Sequence, residues 1–209
     1  MDPTPILDVL PRGRHRLTRE QVVASQRGRL LVGMAEVVAE RGYAHTSVAD
    51  VLKRVRVSRE TFYEHFTGKQ DCFLAAFNKG DDMLESAVRE ATGPRDLPAL
   101  ERFERALTAY LELMASEPAL AKTTLVESYA AGPEVTARRF EVQARWIELF
   151  SEILTDDERW RALPDPPFTC QLLIGGVGTM VTAHLAAGNH EALPGLRTPV
   201  LALLEALLA

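Results

Sequence analysis

Cysteine is scarce in this sequence of 209 residues, which contains only Cys72 and Cys170. The two lie 98 positions apart, and neither belongs to a CxxC pair. The sequence therefore predicts neither a disulfide framework nor a cysteine-based zinc site. The five histidines show no metal-ligand spacing either. We expect two buried thiols, no metal, no cofactor and a cytoplasmic location, where thiols stay reduced.

Long apolar runs are also missing. The longest, residues 172–188, has 17 residues and includes four glycines, two threonines and His184, whereas a membrane span needs about 20 apolar residues. The N-terminus carries Asp2 and lacks the apolar segment of a signal peptide. We therefore expect no membrane partner.

Catalytic motifs are absent as well. Gly175, Gly176 and Gly178 form a glycine-rich run, but the Lys-Ser/Thr pair of a phosphate-binding loop does not follow it. Cys170 and His184 lie nearly four turns apart on one predicted helix, too far to act together. The sequence favours a protein that is not an enzyme.

Strand-like alternation occurs nowhere, while apolar residues recur at helical spacing between Gly-Pro and Pro-rich breaks. The pattern predicts an all-α protein. We expect an N-terminal three-helix, helix-turn-helix domain at residues 18–80 and a C-terminal helical domain at residues 81–209. The boundary lies inside a helix, near Gly80.

The net charge of −5 is unevenly distributed. Residues 1–69 hold 12 Lys and Arg against 8 Asp and Glu, whereas residues 70–209 hold 12 against 21. A positive end attracts phosphates and an acidic remainder is repelled by them. Residues 1–17, rich in proline and arginine, predict a flexible basic arm that either enters a minor groove or remains a solvated tail.

Residues 47–66 have the pattern of two short helices with a tight joint. Ser47 and Ser58 are helix-capping residues, and Phe62 and Phe66 share one face of the second helix. Helix-turn-helix geometry places such a helix in a DNA major groove. Hydrogen-bonding side chains form its outer face: Arg59, Glu60, Thr61, Tyr63, Glu64 and His65.

The run Val57-Ser58-Arg59-Glu60-Thr61-Phe62-Tyr63-Glu64-His65-Phe66, followed by Lys69, resembles the TetR (tetracycline-repressor) family of bacterial regulators. Arg56 stands where that family usually has glycine in the turn, and Ala49 where many members have arginine. The resemblance implies a DNA-binding set consisting of Ser47, Ser58, Arg59, Glu60, Thr61, Tyr63, His65 and Lys69.

The resemblance also implies a ligand pocket among the middle helices, although apolar residues at helical spacing are more often plain core. A lining of aromatic residues and methionine suits a small apolar or amphipathic ligand. Glu127 and His184 are polar candidates for orienting it. The pocket candidates are Tyr110, Met114, Leu125, Tyr129, Trp146 and Phe150.

The last two helices are apolar nearly all round, which predicts burial on more than one side. A two-fold homodimer provides such burial, and the TetR resemblance implies a four-helix interface. Burial within one subunit is the alternative. The interface candidates are Leu173, Gly175, Val177, Gly178, Val181, Leu201, Leu204 and Leu208.

Together these patterns predict a sequence-specific DNA-binding transcriptional regulator. We expect a homodimeric repressor on a near-palindromic double-stranded DNA operator, released by a small ligand. The alternative is a helical protein-binding or assembly module whose helix-turn-helix binds DNA poorly. Ala49 and Arg56 are the residues that favour this alternative.

Overall fold

The structure is a computed structural model that describes residues 19–209, and every regular element among them is a helix. The predicted arm, residues 1–17, and Thr18, the first residue of the predicted N-terminal domain, lie outside the described residues. Short 3-10 helices at Glu127–Ala131 and His190–Leu196 join the longer ones. The α-helices are α1 (Arg19–Arg41), α2 (Val48–Val55), α3 (Arg59–His65), α4 (Lys69–Thr92), α5 (Ala99–Ser116), α6 (Pro118–Leu125), α7 (Pro133–Leu154), α8 (Glu158–Arg161), α9 (Pro166–Ala186) and α10 (Arg197–Leu207). The predicted all-α fold is confirmed.

Two hydrophobic cores share α4. Its first half, through Ala76, belongs to a core formed with α1, α2 and α3. Its second half, from Leu84, belongs to a core formed with α5, α7, α9 and α10. The predicted domain boundary near Gly80 falls between these two residues. Ala131 and Val135 nevertheless pack into the first core, so the second half of the chain also supports the helix-turn-helix.

Local signals account for the helix ends around the helix-turn-helix. Gly42, at φ +79°, follows α1, and a left-handed glycine is a common helix stop. Ser47 caps α2 in a capping box with Asp50, and Ser58 caps α3. Arg56 ends α2 at φ 54° and ψ 49°. The turn therefore requires the left-handed backbone that glycine supplies elsewhere.

Local contacts also explain the ends of later helices. The Thr67 backbone N–H donates to Asp71 Oδ2 at 2.8 Å just before α4. Helix α6 stops at Leu125, and a 3-10 helix follows. Pro166 lies in the first turn of α9, a position where proline is tolerated because no N–H is needed. The short α8 buries Trp160.

Glycine 80 allows close packing rather than breaking its helix, since α4 is continuous across it. A Cβ at Gly80 would lie 2.4 Å from Leu120 Cδ1. The missing side chain thus lets α6 pack directly against α4.

Helix α9 has 21 residues and, by length and composition, is apolar enough to cross a bilayer. The helix is thus longer than the 17-residue apolar run, residues 172–188, that the sequence shows. Leu173, Val177 and Val181 place one face of α9 in the second core.

We predict that Arg56→Gly raises the free energy of unfolding by up to about 1 kcal/mol. Glycine removes the Cβ clash of the left-handed backbone but loses more entropy on folding. Chemical denaturation of both proteins measures the difference.

The matched control is Lys53→Gly in the exposed last turn of α2, where the backbone is helical. This change should lower the free energy of unfolding by about 1 kcal/mol. A decrease for Arg56→Gly as large as that of the control would contradict strain at the turn.

Candidate functional site

Helix α3 is fixed by a cap and by two buried rings. Ser58 Oγ accepts a hydrogen bond from the Thr61 backbone N–H at 3.1 Å. Phe62 and Phe66 are almost fully buried, as predicted, with ring centroids 5.6 Å apart. A seven-residue helix is too short to be stable alone, so these contacts position its outer face.

The outer face of α3 is polar and open to solvent. Arg59, Glu60 and Glu64 are exposed, Tyr63 is 48% exposed, and Thr61 and His65 are half-buried. The Arg59 guanidinium lies 5.6 Å from the Tyr63 ring centroid. Together these residues form a compact patch of hydrogen-bonding side chains.

Ser47 has a structural role at the neighbouring helix. Its backbone N–H donates to Asp50 Oδ2 at 3.0 Å, and its hydroxyl accepts from the Asp50 N–H at 3.3 Å. Hydrogen bonds from Ser47, together with the charge of Arg41, lower the pKa of Asp50. Ser47 is therefore held as a cap next to the predicted reading surface.

Lys69 does not lie on α3 and has a fixed partner. Its Nζ donates to the Tyr43 carbonyl oxygen at 2.9 Å and lies 4.0 Å from the Tyr43 ring centroid. The Tyr43 backbone N–H in turn donates to Glu127 Oε2 at 2.7 Å. The peptide groups beside Tyr43 thus connect the start of α4 with the second half of the chain.

A cavity of about 440 Å³ lies between α4, α5, α6, α7 and α9. All six predicted pocket residues line it. Its lining comprises Phe77, Gly80, Asp81, Leu84, Leu107, Tyr110, Met114, Leu120, Thr124, Leu125, Tyr129, Arg139, Val142, Gln143, Trp146, Phe150, Ile174, Gly175, Val177, Gly178, Thr179, Thr182, Ala183 and Ala186. The volume lies within the range typical of small-molecule sites, about 300–1,000 Å³.

Asp81 is a buried carboxylate in the cavity wall, only 3% exposed. It forms a salt bridge with Arg145 and accepts a hydrogen bond from Trp146 Nε1 at 3.1 Å. Burial raises the pKa of Asp81, while Arg145 opposes that shift. This contact fixes the Trp146 indole, which packs edge-on against Tyr110 at 5.8 Å between centroids. Burial also raises the pKa of Tyr110 to about 12, so its hydroxyl stays neutral.

The sequence patterns did not single out Asp81 and Arg139 as pocket residues. Both lie among charged, exposed neighbours on long helices, and only the packing of α6 and α7 turns them toward the cavity. Glu127, a predicted ligand-orienting residue, instead bonds to Tyr43. His184 is half-buried and does not line the cavity.

Most of the predicted dimer residues pack within the subunit itself. Five of them are buried in the subunit's own core: Leu173, Val177, Val181, Leu204 and Leu208. Leu201 is half-buried against that core. Gly175 and Gly178 line the cavity, and a Cβ on either would meet nothing within 4 Å. These two glycines therefore leave open space instead of supporting a close helix contact.

Both cysteines are buried, as expected. Burial raises the pKa of the Cys72 thiol to about 12 and that of Cys170 to about 11. The thiols are therefore protonated near neutral pH. Among residues 19–209, no group of three or more His, Cys, Asp or Glu side chains is placed to hold a metal ion.

A family described as "Bacterial regulatory proteins, tetR family" matches residues 30–76, which contain α2, α3 and the start of α4. Residues 30–76 are therefore similar to the TetR family. Within that segment, α2 and α3 correspond to a TetR-type helix-turn-helix, which is a DNA-binding motif.

Similar TetR-type regulators extend the match beyond this unit. The transcriptional activator FasR of Mycolicibacterium smegmatis is 28% identical over 124 residues, covering 59% of this chain and 54% of FasR. The chain thus spans about half the length of FasR. The fatty acid metabolism regulator protein of Bacillus subtilis is 24% identical over 177 residues, covering 81% of this chain and 88% of that protein.

One solved structure of similar fold is FadR from Bacillus subtilis in complex with stearoyl-CoA. It has a TM-score of 0.71 and 22% identity, and the match covers 84% of this chain and 96% of that one. The resemblance therefore includes the helices that surround the cavity.

Proposed function

We propose that this TetR-like protein is a cytoplasmic, homodimeric repressor that leaves a near-palindromic operator when a long-chain acyl ligand occupies the cavity. The observation that carries the proposal is the cavity itself, which shares α4 and α6 with the DNA-reading half. This function requires a DNA contact, a ligand site and coupling between the two.

The exposed face of α3 supports the DNA contact. Arg59 and Tyr63 project from it, and the exposed cations Lys53 and Arg56 lie on α2 and in the turn. In helix-turn-helix proteins the second helix contacts base edges, and arginine most often reads guanine. Lys69, whose Nζ donates to the Tyr43 carbonyl, would contact DNA near the same surface.

The cavity lining supports an acyl ligand. Leu84, Leu107, Met114 and Phe150 offer an apolar surface in its wall. Similar regulators include proteins named for fatty acid metabolism, and one of these was solved with stearoyl-CoA. A coenzyme A thioester of a long-chain fatty acid is therefore the ligand class that we propose.

Helix α6 supports coupling because it faces both sites. Leu120, Thr124 and Leu125 line the cavity. On the other side, Thr123 Oγ1 donates to the Ala35 carbonyl of α1 at 3.4 Å. Glu127, just after α6, accepts the Tyr43 N–H at the end of that helix. A ligand that moves α6 would thus move α1 relative to α4.

Two exposed apolar stripes support a homodimer. Helix α9 exposes Phe168, Leu172 and Met180, and α10 exposes Leu203 and Leu207. Their spacing of four or eight residues puts each stripe on one side of its helix. A two-fold axis would bury the same patch on both subunits.

The assembly-module alternative is not favoured. Arg56 adopts the left-handed turn, and both helices of the motif are capped and packed. Ala49 is exposed in the first turn of α2, so it leaves the packing of the motif intact.

We predict that Arg59→Ala weakens operator binding by about 1–3 kcal/mol and relaxes preference at one position per half-site. Tyr63→Phe and Lys69→Ala should weaken binding to all sequences alike. If the Lys69 charge contacts a phosphate, Lys69→Ala should also reduce, by about one unit, the slope of the log binding constant against log salt concentration. Fluorescence anisotropy at several salt concentrations, with an operator selected from genomic fragments, measures all three.

Arg95→Ala is the control for this series, because Arg95 is exposed beyond the far end of α4. It should bind the operator as the unchanged protein does. Unchanged binding by all three α3-side variants would show that α3 is not the reading helix.

We predict that Leu172→Asp and Leu203→Asp each produce monomers, since an unpaired charge in a dry interface is strongly disfavoured. Light scattering measures the mass. Phe140→Asp is the matched control, because Phe140 is 57% exposed but lies on α7 rather than on α9 or α10. A dimer that persists in both α9 and α10 variants would place the interface on another surface.

We predict that hexadecanoyl-CoA quenches Trp146 fluorescence in a Trp160→Phe background and binds less tightly when operator is present. A 100-fold change in ligand affinity corresponds to about 2.7 kcal/mol of coupling free energy, and the ligand must weaken operator binding by the same factor. Gly178→Leu should abolish ligand binding by filling the cavity. Ala137→Leu, at an exposed position of α7, should not.

Glu127→Ala tests the coupling separately, because Glu127 does not line the cavity. It should leave hexadecanoyl-CoA affinity without DNA unchanged and reduce the effect of operator on that affinity. Equal ligand affinity with and without operator in the protein with Glu127 intact would contradict ligand release.

A further inference from the structure

The described cavity lining contains two charged side chains with different surroundings. Asp81 is neutralised by Arg145 and hydrogen-bonded to Trp146. Arg139, on α7, has no carboxylate within salt-bridge distance among the described residues. The cavity therefore has one uncompensated positive charge in its wall.

The neighbouring arginine, Arg138, has different surroundings. Arg138 Nη1 forms a salt bridge with Glu141 at 3.0 Å, and its Nε donates to Asn78 Oδ1 at 2.7 Å. Arg138 does not line the cavity. Arg138 thus has a carboxylate partner and lies outside the cavity, whereas Arg139 lines the cavity and has no carboxylate partner in the part of the chain that the structure describes.

The Arg139 guanidinium is held in place but is not saturated. It lies 4.6 Å from the Tyr129 ring centroid, and Nη1 donates to the Thr124 carbonyl at 3.3 Å. Its Nε is buried and has no hydrogen-bond partner in the described structure. A guanidinium has five N–H donors, so most of them remain available. A buried donor without an acceptor is unfavourable, and a ligand oxygen would relieve it.

Polar side chains also line the cavity near this cation, and most of the other lining residues are apolar. Thr124, Tyr129 and Gln143 line the cavity from the helices next to Arg139 or from its own helix. Arginine is suited to oxyanions because its planar fork matches carboxylate and phosphate geometry. The lining thus combines apolar surface for a chain with one fixed donor group for an anion.

We infer that Arg139 binds the oxyanion of an amphipathic ligand whose apolar chain lies in the cavity, and that it thereby sets specificity for anionic over neutral ligands. This inference rests on the proposed function, because it concerns the same cavity. The oxyanion is either the carboxylate of a free fatty acid or a phosphate of its coenzyme A thioester. Both present the oxygen geometry that a guanidinium recognises.

The test compares three probes that share one chain: hexadecanoic acid, hexadecanoyl-CoA and hexadecan-1-ol. Each is titrated below its aggregation concentration against the full chain carrying Trp160→Phe, with Trp146 fluorescence as the readout. Arg139→Met removes the charge and keeps an unbranched side chain. Arg139→Lys keeps the charge without the fork, and Arg138→Met is the matched control.

Arg139→Met should weaken binding of at least one anionic probe tenfold or more and leave the alcohol within twofold. Arg139→Lys should weaken binding of the same probe by an intermediate factor. Arg138→Met should bind all three probes as tightly as the protein with Arg138 intact. A loss confined to the acid identifies the carboxylate as the bound group. A loss confined to the thioester identifies a phosphate.

Two results would overturn the inference alone while the acyl-ligand function stands. One is equal weakening of all three probes, which would make Arg139 a wall residue that shapes the cavity. The other is unchanged binding of both anionic probes by Arg139→Met. Failure of all three probes to bind the protein with Arg139 intact would reject the proposed ligand class, and the inference would fall with it.

Discussion

The contact between Leu120 and the bare backbone of Gly80 determines how the two halves of this protein meet. It presses α6 onto α4 at the point where α4 passes from one core to the other. With α6 fixed there, Thr123 on the next turn donates to the Ala35 carbonyl of α1, and the Glu127 carboxylate after α6 accepts the Tyr43 N–H. A Cβ at position 80 would meet the end of the Leu120 side chain, so Leu120 would have to turn away and its contact with α4 would loosen.

The buried Asp81 carboxylate has a role that its stability contribution does not explain. A buried ion pair often contributes little net stability because both charges are desolvated. Here Asp81 links α4 to α7 through Arg145 and orients the Trp146 indole within the cavity. Since the charge is already compensated, it leaves Arg139 as the charge available to a ligand. The arrangement favours a definite cavity shape over maximal stability.

The helix-turn-helix was predictable because its signals are local. Caps at Ser47 and Ser58 and the Phe62–Phe66 pair depend on residues within a single turn, and each is present as predicted. The register of α9 was not predictable, because a helix that is apolar on all sides has no polar face to orient it. Contacts that join distant positions, such as Tyr43 with Glu127 across 84 residues, leave no periodic signal at all. Lys69 shows the same limit, since its position in the motif did not indicate its bond to Tyr43.

Helix α9 has three different surroundings: the second core, the cavity and an exposed face. One face completes the second core, the glycines at 175 and 178 border the cavity, and Leu172 and Met180 remain exposed. If the exposed stripe is the dimer face, the helix that borders the ligand also borders the partner subunit. A ligand that shifts α9 would then change the distance between the two α3 helices of the dimer. Because two-fold symmetry imposes the same shift on both subunits, a small displacement beside each cavity would act twice on the spacing of the reading helices.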